Sequence, residues 1–222
     1  MGDPTLLRKA LALERDGHFG EALCLFQQCA DDPAFDAGDM MFHRGWCAEN
    51  LGDTANAIAH YNRAAELTRI PECKLNSFFR TGWLFMHVRE VSKAADCFRY
   101  AIDYGDLVDL RNDAYFHGMY WFAHALELSE RFLEALKWYR RVQSLSPQLD
   151  PESRLRQIFC LVHVGNYQDA LNICRTFDIP SPEGFDVLRY EALQAEARKE
   201  YRLLEVSLVP PASFRKAPPH VG

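Results

Sequence analysis

The sequence predicts an all-α fold, an α-solenoid of about five helical hairpins with one further helix after them. Three observations carry this expectation. First, an alanine followed four residues later by a larger residue and three further on by another apolar one recurs five times, at Ala22, Phe26, Cys29; Ala57, Tyr61, Ala64; Ala94, Phe98, Ala101; Ala135, Tyr139, Val142; and Ala170, Cys174, Phe177. Four-then-three spacing marks one face of a helix. Second, these alanines stand 35, 37, 41 and 35 residues apart, the length of two helices with their turns. Third, a small residue lies twelve positions before the alanine in four units, at Ala10, Gly45, Gly82 and Ala123, where it permits close helix approach.

The elements follow in order. Asp3-Pro4 sets a capping side chain before a proline suited to the first helical position, opening the first helix. Gly17, Gly52 and Gly165, each five residues before a repeat alanine, supply a tight turn between the helices of the first, second and fifth hairpins. Phe19, Val91, Phe132 and Tyr167, with Thr54 as the exception, place an apolar anchor at the start of each second helix. The long spacing of 41 predicts an enlarged loop around 105–112 or an extended first helix in the fourth hairpin. Asp150-Pro151 is expected to cap the fifth hairpin, whose Ile158 replaces the small residue and predicts a different packing. Ser181-Pro182 opens a last helix to about Glu205, rich in strong helix formers. The remaining SLVPPASFRKAPPHVG has four prolines and no periodicity, which predicts a flexible or extended tail.

With its small residue, turn glycine, aromatic anchor, alanine and closing proline (Pro147 in register, Pro33 and Pro71 displaced), the sequence resembles the tetratricopeptide repeat family over roughly residues 3–180. The early first-helix aromatic of that pattern is represented by Leu6, Met41, Phe78, Met119 and Arg154. The resemblance implies a right-handed superhelix divided as 1–180 repeat array, 181–206 capping helix and 207–222 proline-rich tail. Sel1-type and pentatricopeptide repeats have similar lengths, but the glycine-rich pattern of the first is missing and the charge argues against the RNA-facing surface of the second.

Composition narrows the function classes. A net charge of −6 disfavours a nucleic-acid binder, and no apolar run approaches a membrane span. Seven cysteines without a C-x-x-C pair argue for free thiols in a reducing, cytoplasmic setting. The amino-terminal stretch is interrupted by charges and lacks the apolar core of a secretory signal.

Family geometry implies that residues fifteen and eleven before each alanine face a concave groove: Leu7 and Leu11, Phe42 and Trp46, Phe79 and Trp83, Tyr120 and His124, Leu155 and Phe159. This stripe is expected to be surplus to the packing and to hold an apolar peptide segment of a partner protein, with Phe42, Trp46, Phe79, Arg80, Trp83, Tyr120 and His124 as the binding residues. The alternative is that the stripe is covered from within, or that the groove or an end repeat serves self-association. Of the carboxylate clamp that some family members use, the corresponding positions are Leu7, Leu11, His43, Asn76 and Arg80, and Arg80 alone matches.

Chemistry is not expected. His87, His117 and His124 lack a metal-ligand pattern, and no nucleophile elbow, phosphate loop or dinucleotide motif occurs, so neither metal nor cofactor is implied. Cys29 and Cys174 read as packing residues; Glu127 with Glu130, and Glu196 with Glu200, read as solvated faces. The sequence thus points to a non-enzymatic interaction scaffold.

Overall fold

The computed structural model describes residues 4–176, which form ten α-helices, one 3-10 turn and no strand. The helices pair as the alanine register requires. Hairpin one is α1 (Pro4–Arg15) and α2 (Phe19–Ala30); hairpin two is α3 (Ala37–Asn50) and α4 (Thr54–Leu67); hairpin three is α5 (Pro71–His87) and α6 (Val91–Val108). Hairpin four is α7 (Asp113–Leu128) and α8 (Phe132–Leu145); hairpin five is α9 (Asp150–His163) and α10 (Tyr167–Thr176). Two compact units result, Met1–Gly118 and Met119–Gly222, with the division falling inside α7. Asp3, Phe177, the helix expected over 182–205 and the tail after it lie outside the described residues.

Each second helix begins three residues before its repeat alanine, at Phe19, Thr54, Val91, Phe132 and Tyr167. The turn before it is the same in all five hairpins. Its left-handed residue is Gly17 (φ 83°), Gly52 (79°), Arg89 (62°), Glu130 (59°) or Gly165 (76°). The following amide closes back over five residues, as in His18 N–H to the Leu13 carbonyl at 2.8 Å and Arg131 N–H to the Leu126 carbonyl at 2.9 Å. This is the Schellman closure of a helix C-terminus. Glycine marks it in three hairpins, while the third and fourth hold a side chain in a conformation that L-residues disfavour.

Within the first four hairpins the small residue admits the aromatic of the second helix. A Cβ built on Gly45 would stand 2.7 Å from the Tyr61 ring, and one on Gly82 would stand 2.8 Å from the Phe98 ring. Ala10 and Ala123 are fully buried at the same position, and Ile158 is buried at the fifth. Phe26, Tyr61, Phe98 and Tyr139, the residues four after the repeat alanine, are wholly enclosed. Burying each such ring contributes about 2–3 kcal/mol.

The structure departs from expectation at two junctions. The residues added by the long spacing go mainly into α6, which at 18 residues exceeds α2 by six and α4 by four. It ends where Asp109 turns left-handed (φ 54°) and the Leu110 amide bonds the Gly105 carbonyl at 2.9 Å. Gly105 is needed there because its Cβ would stand 2.5 Å from the Tyr115 ring, whose hydroxyl donates to Asp106 at 2.7 Å. Asp150 is not a cap. It is the first residue of α9, entered directly from the 3-10 turn Pro147–Leu149, and its carboxylate receives Arg154 Nε at 2.9 Å. Asp36 and Asp53 do cap, accepting from the amides of Asp39 and Asn56 at 2.8 and 3.2 Å.

Candidate functional site

The residues expected to line the groove fall on three first helices, with Phe42 and Trp46 on α3, Phe79, Arg80 and Trp83 on α5, and Tyr120 and His124 on α7. The first five lie in the first unit and the last two in the second. Their burial corrects the idea of a stripe surplus to the fold. Phe79 is 2% exposed, Tyr120 1%, Trp46 6% and Trp83 7%, and Arg80 and His124 are buried as well, leaving Phe42 half-buried.

The reason is a recurring contact across the second, third and fourth hairpins. The residue fifteen before the alanine meets the aromatic four after it: Phe42 with Tyr61 at 5.3 Å, Phe79 with Phe98 at 5.8 Å and Tyr120 with Tyr139 at 5.6 Å between ring centroids. Aromatic pairs at these separations stabilise by about 0.5–1.5 kcal/mol beyond area burial. Once a small residue lets the second-helix ring across the hairpin, that ring reaches the next turn of the first helix. Two of the positions eleven before the alanine meet a ring on their own helix. Trp83 meets His87 edge-on at 4.5 Å, and His124 meets Trp121 at 5.4 Å.

Arg80 is engaged from within. Its Nη1 donates to Glu49 Oε1 at 3.2 Å, and its guanidinium lies 4.3 Å from the Trp46 ring centroid. Glu49 also accepts from the Tyr61 hydroxyl at 2.8 Å. Trp46 and Arg80 are therefore brought together from consecutive hairpins, through a carboxylate that the sequence reading did not single out.

The second unit repeats the arrangement. Glu127, 5% exposed, accepts Arg156 Nη1 at 2.8 Å and the Tyr139 hydroxyl at 2.9 Å. This corrects its reading as part of a solvated face; Glu130 alone of that pair is exposed. Burial pushes the Glu127 carboxyl up, but His124, Arg156 and Tyr139 together hold it below the usual carboxylate range. Burial with the nearby Arg156 charge keeps the His124 imidazole below its ordinary value, against the pull of Glu127. The signal available in the letters was the recurrence of Glu14, Glu49 and Glu127 eight residues before three repeat alanines.

Other expected chemistry finds these places. His87 Nδ1 lies 3.0 Å from the Trp83 carbonyl, and His117 stands 6.3 Å from Phe79. No group of three potential metal ligands forms among the described residues. Cys29 is fully buried in the apolar core of the first two hairpins; burial pushes the thiols of Cys47 and Cys73 up to about 12 and that of Cys97 to about 11. No described helix is long and apolar enough to cross a membrane.

Comparison with known proteins agrees with this architecture. The Tetratricopeptide repeat family model matches residues 7–69, which span the first two hairpins. Among solved structures, the chain is similar to YrrB, described as a tetratricopeptide repeat protein with an unusual peptide-binding site, at 22% identity and a TM-score of 0.62, covering 82% of this chain and 87% of that one. It is similar to MamA from AMB-1 at 18% identity and a TM-score of 0.61, covering 82% and 95%. It also resembles a putative kinesin light chain of Podosopora anserina with nearly identical repeats, at 14% identity and a TM-score of 0.58, covering 90% and 100%. No curated protein matches the sequence. Matched in sequence over residues 7–69 and similar in fold over most of its length, the chain has the all-α helical-hairpin fold of tetratricopeptide repeat proteins.

Proposed function

We propose that this protein is a non-enzymatic interaction scaffold that binds an apolar segment of a partner protein along its first helices. The observation that carries the reading is the repetition of aromatic residues at one register on consecutive first helices, Phe42 and Trp46 on α3 and Phe79 and Trp83 on α5. Phe79 forms the floor, while the rims of Trp46 and Trp83 and the half-buried Phe42 offer the anchor positions. In the second unit Tyr120 and His124 hold the same register. Arg80, fixed by Glu49 and stacked on Trp46, presents a preorganised surface and not a mobile charge. The peptide-binding site named for YrrB supports the class of function by fold analogy.

The near-complete burial of Trp46, Phe79 and Trp83 favours a second reading, in which the stripe is already covered and association with other copies uses a different surface. One experiment separates the two. Both tryptophans are enclosed, so truncation to alanine would remove core packing; Trp46→Leu/Trp83→Leu keeps apolar volume. Capture of partners by the full chain and by this variant, matched for helicity and melting temperature, is compared with sedimentation of each. Partner binding lost by an equally stable variant is the expected result. Binding retained in full by the variant, or copies associating with no partner held, would overturn the groove.

A further inference from the structure

The recurring carboxylate takes a cation from the following hairpin in three places, always fourteen residues before the next repeat alanine. Glu49 takes Arg80 at 3.2 Å, Glu127 takes Arg156 at 2.8 Å, and Glu14 takes His43, whose Nδ1 lies 2.8 Å from Oε2. Two of these contacts use guanidinium groups that remain charged at any physiological pH. The contact between the first and second hairpins uses the one side chain whose charge changes near neutrality. We propose that His43 and Glu14 form a pH-sensitive latch between the first two hairpins, tight when the imidazole is protonated and loosened as pH rises.

The geometry favours a protonated ring. His43 is stacked on Phe26 of α2 at 4.8 Å with an interplanar angle of 11°, and Phe42 meets it edge-on at 6.1 Å. Glu14 on α1 is 9% exposed, so its charge acts through little water. Further titratable groups near the pair are Asp39 and Cys47 on α3, Asp36 at its N-cap and the buried Cys29 thiol on α2. Asp39 stands one turn before His43, with Asp36 beyond it, and the Cys47 thiol, pushed up to about 12 by burial and so neutral throughout the physiological range, lies 4.0 Å from Glu14. Burial alone would lower the His43 value, but the Glu14 bond and charge and the Asp39 charge outweigh it and leave it raised. A raised value in the folded state means that the stabilisation is complete below the ordinary histidine range and is lost as pH rises through the folded value.

The test follows amide hydrogen exchange in the full chain at about pH 5.5 and about pH 8.5, corrected for intrinsic exchange. In the wild type, exchange in α1 and α2 is expected to rise several-fold relative to α5. In His43→Arg, whose charge is permanent as in the other two contacts, that rise should disappear. Equal relative protection at both values in the wild type would overturn the latch. So would a rise that survives His43→Arg, which would place its cause outside this pair. Where the arginine variant does not fold, the His43 ring titrated by NMR in the wild type decides. A midpoint above the ordinary value that falls in Glu14→Gln supports the latch, and a wild-type midpoint at or below that value removes it.

Discussion

Arg89 and Glu130 occupy the left-handed turn position that glycine holds in the other three hairpins. A side chain there crowds the following carbonyl, at roughly 1–2 kcal/mol, and glycine removes that strain while adding freedom to the unfolded chain. Arg89→Gly and Glu130→Gly are each expected to raise stability by about 0.5–1 kcal/mol, read from the midpoint of urea unfolding. The turn was legible from Gly17, Gly52 and Gly165 and from the register they share. Its conservation of shape at Arg89 and Glu130 was not, because neither residue advertises a positive φ. Only the backbone hydrogen bonds that close the turn impose it.

Elements pack through the pairing of a small residue with a ring. A methyl group at Gly45 would stand 2.7 Å from Tyr61, and the ring is enclosed on every side, so it has nowhere to move. Gly45→Ala should therefore destabilise by about 1–3 kcal/mol, despite the better helix propensity of alanine. Gly20 on α2 is the control, since a methyl group there meets nothing within 4 Å. Gly20→Ala is expected to stabilise by about 0.5 kcal/mol or more, and thermal unfolding of the pair of variants measures the difference in sign. At this scale the sequence placed the small residues, the ring positions and the start of every second helix. It missed that Phe42, Phe79 and Tyr120 pack on those rings, because the letters fix which face a residue takes but not how far a ring from the opposite helix reaches.

Across the whole chain, stability is a sum of hairpins and of the contacts between consecutive hairpins, so damage to one contact should stay local. Replacing Glu127 with glutamine leaves the buried Arg156 charge without its counter-charge, a change that costs about 3 kcal/mol. Amide exchange should then rise in α8, α9 and α10 while α1 to α4 keep their protection; a uniform rise would show one cooperative block. The pH dependence carries the opposite sign to that at His43. Because the Glu127 value is lowered in the fold, its stabilisation is present above the ordinary carboxylate range and is lost as pH falls through the depressed value.

The sequence by itself determined the all-α class, the number and order of the described hairpins and the register of their packing, since helical periodicity and repeat length are properties of local spacing. Tertiary structure alone decided which polar residues are enclosed. Glu127 read as a solvated charge and Arg80 as a groove residue, Glu49 and Arg156 were not singled out, and the four become two pairs only when consecutive hairpins stack. It also turned the aromatic stripe from an open lining into rings held largely within the chain, because burial depends on what the paired helix places over a residue, and the ring that covers Phe42, Phe79 or Tyr120 is nineteen residues away in sequence.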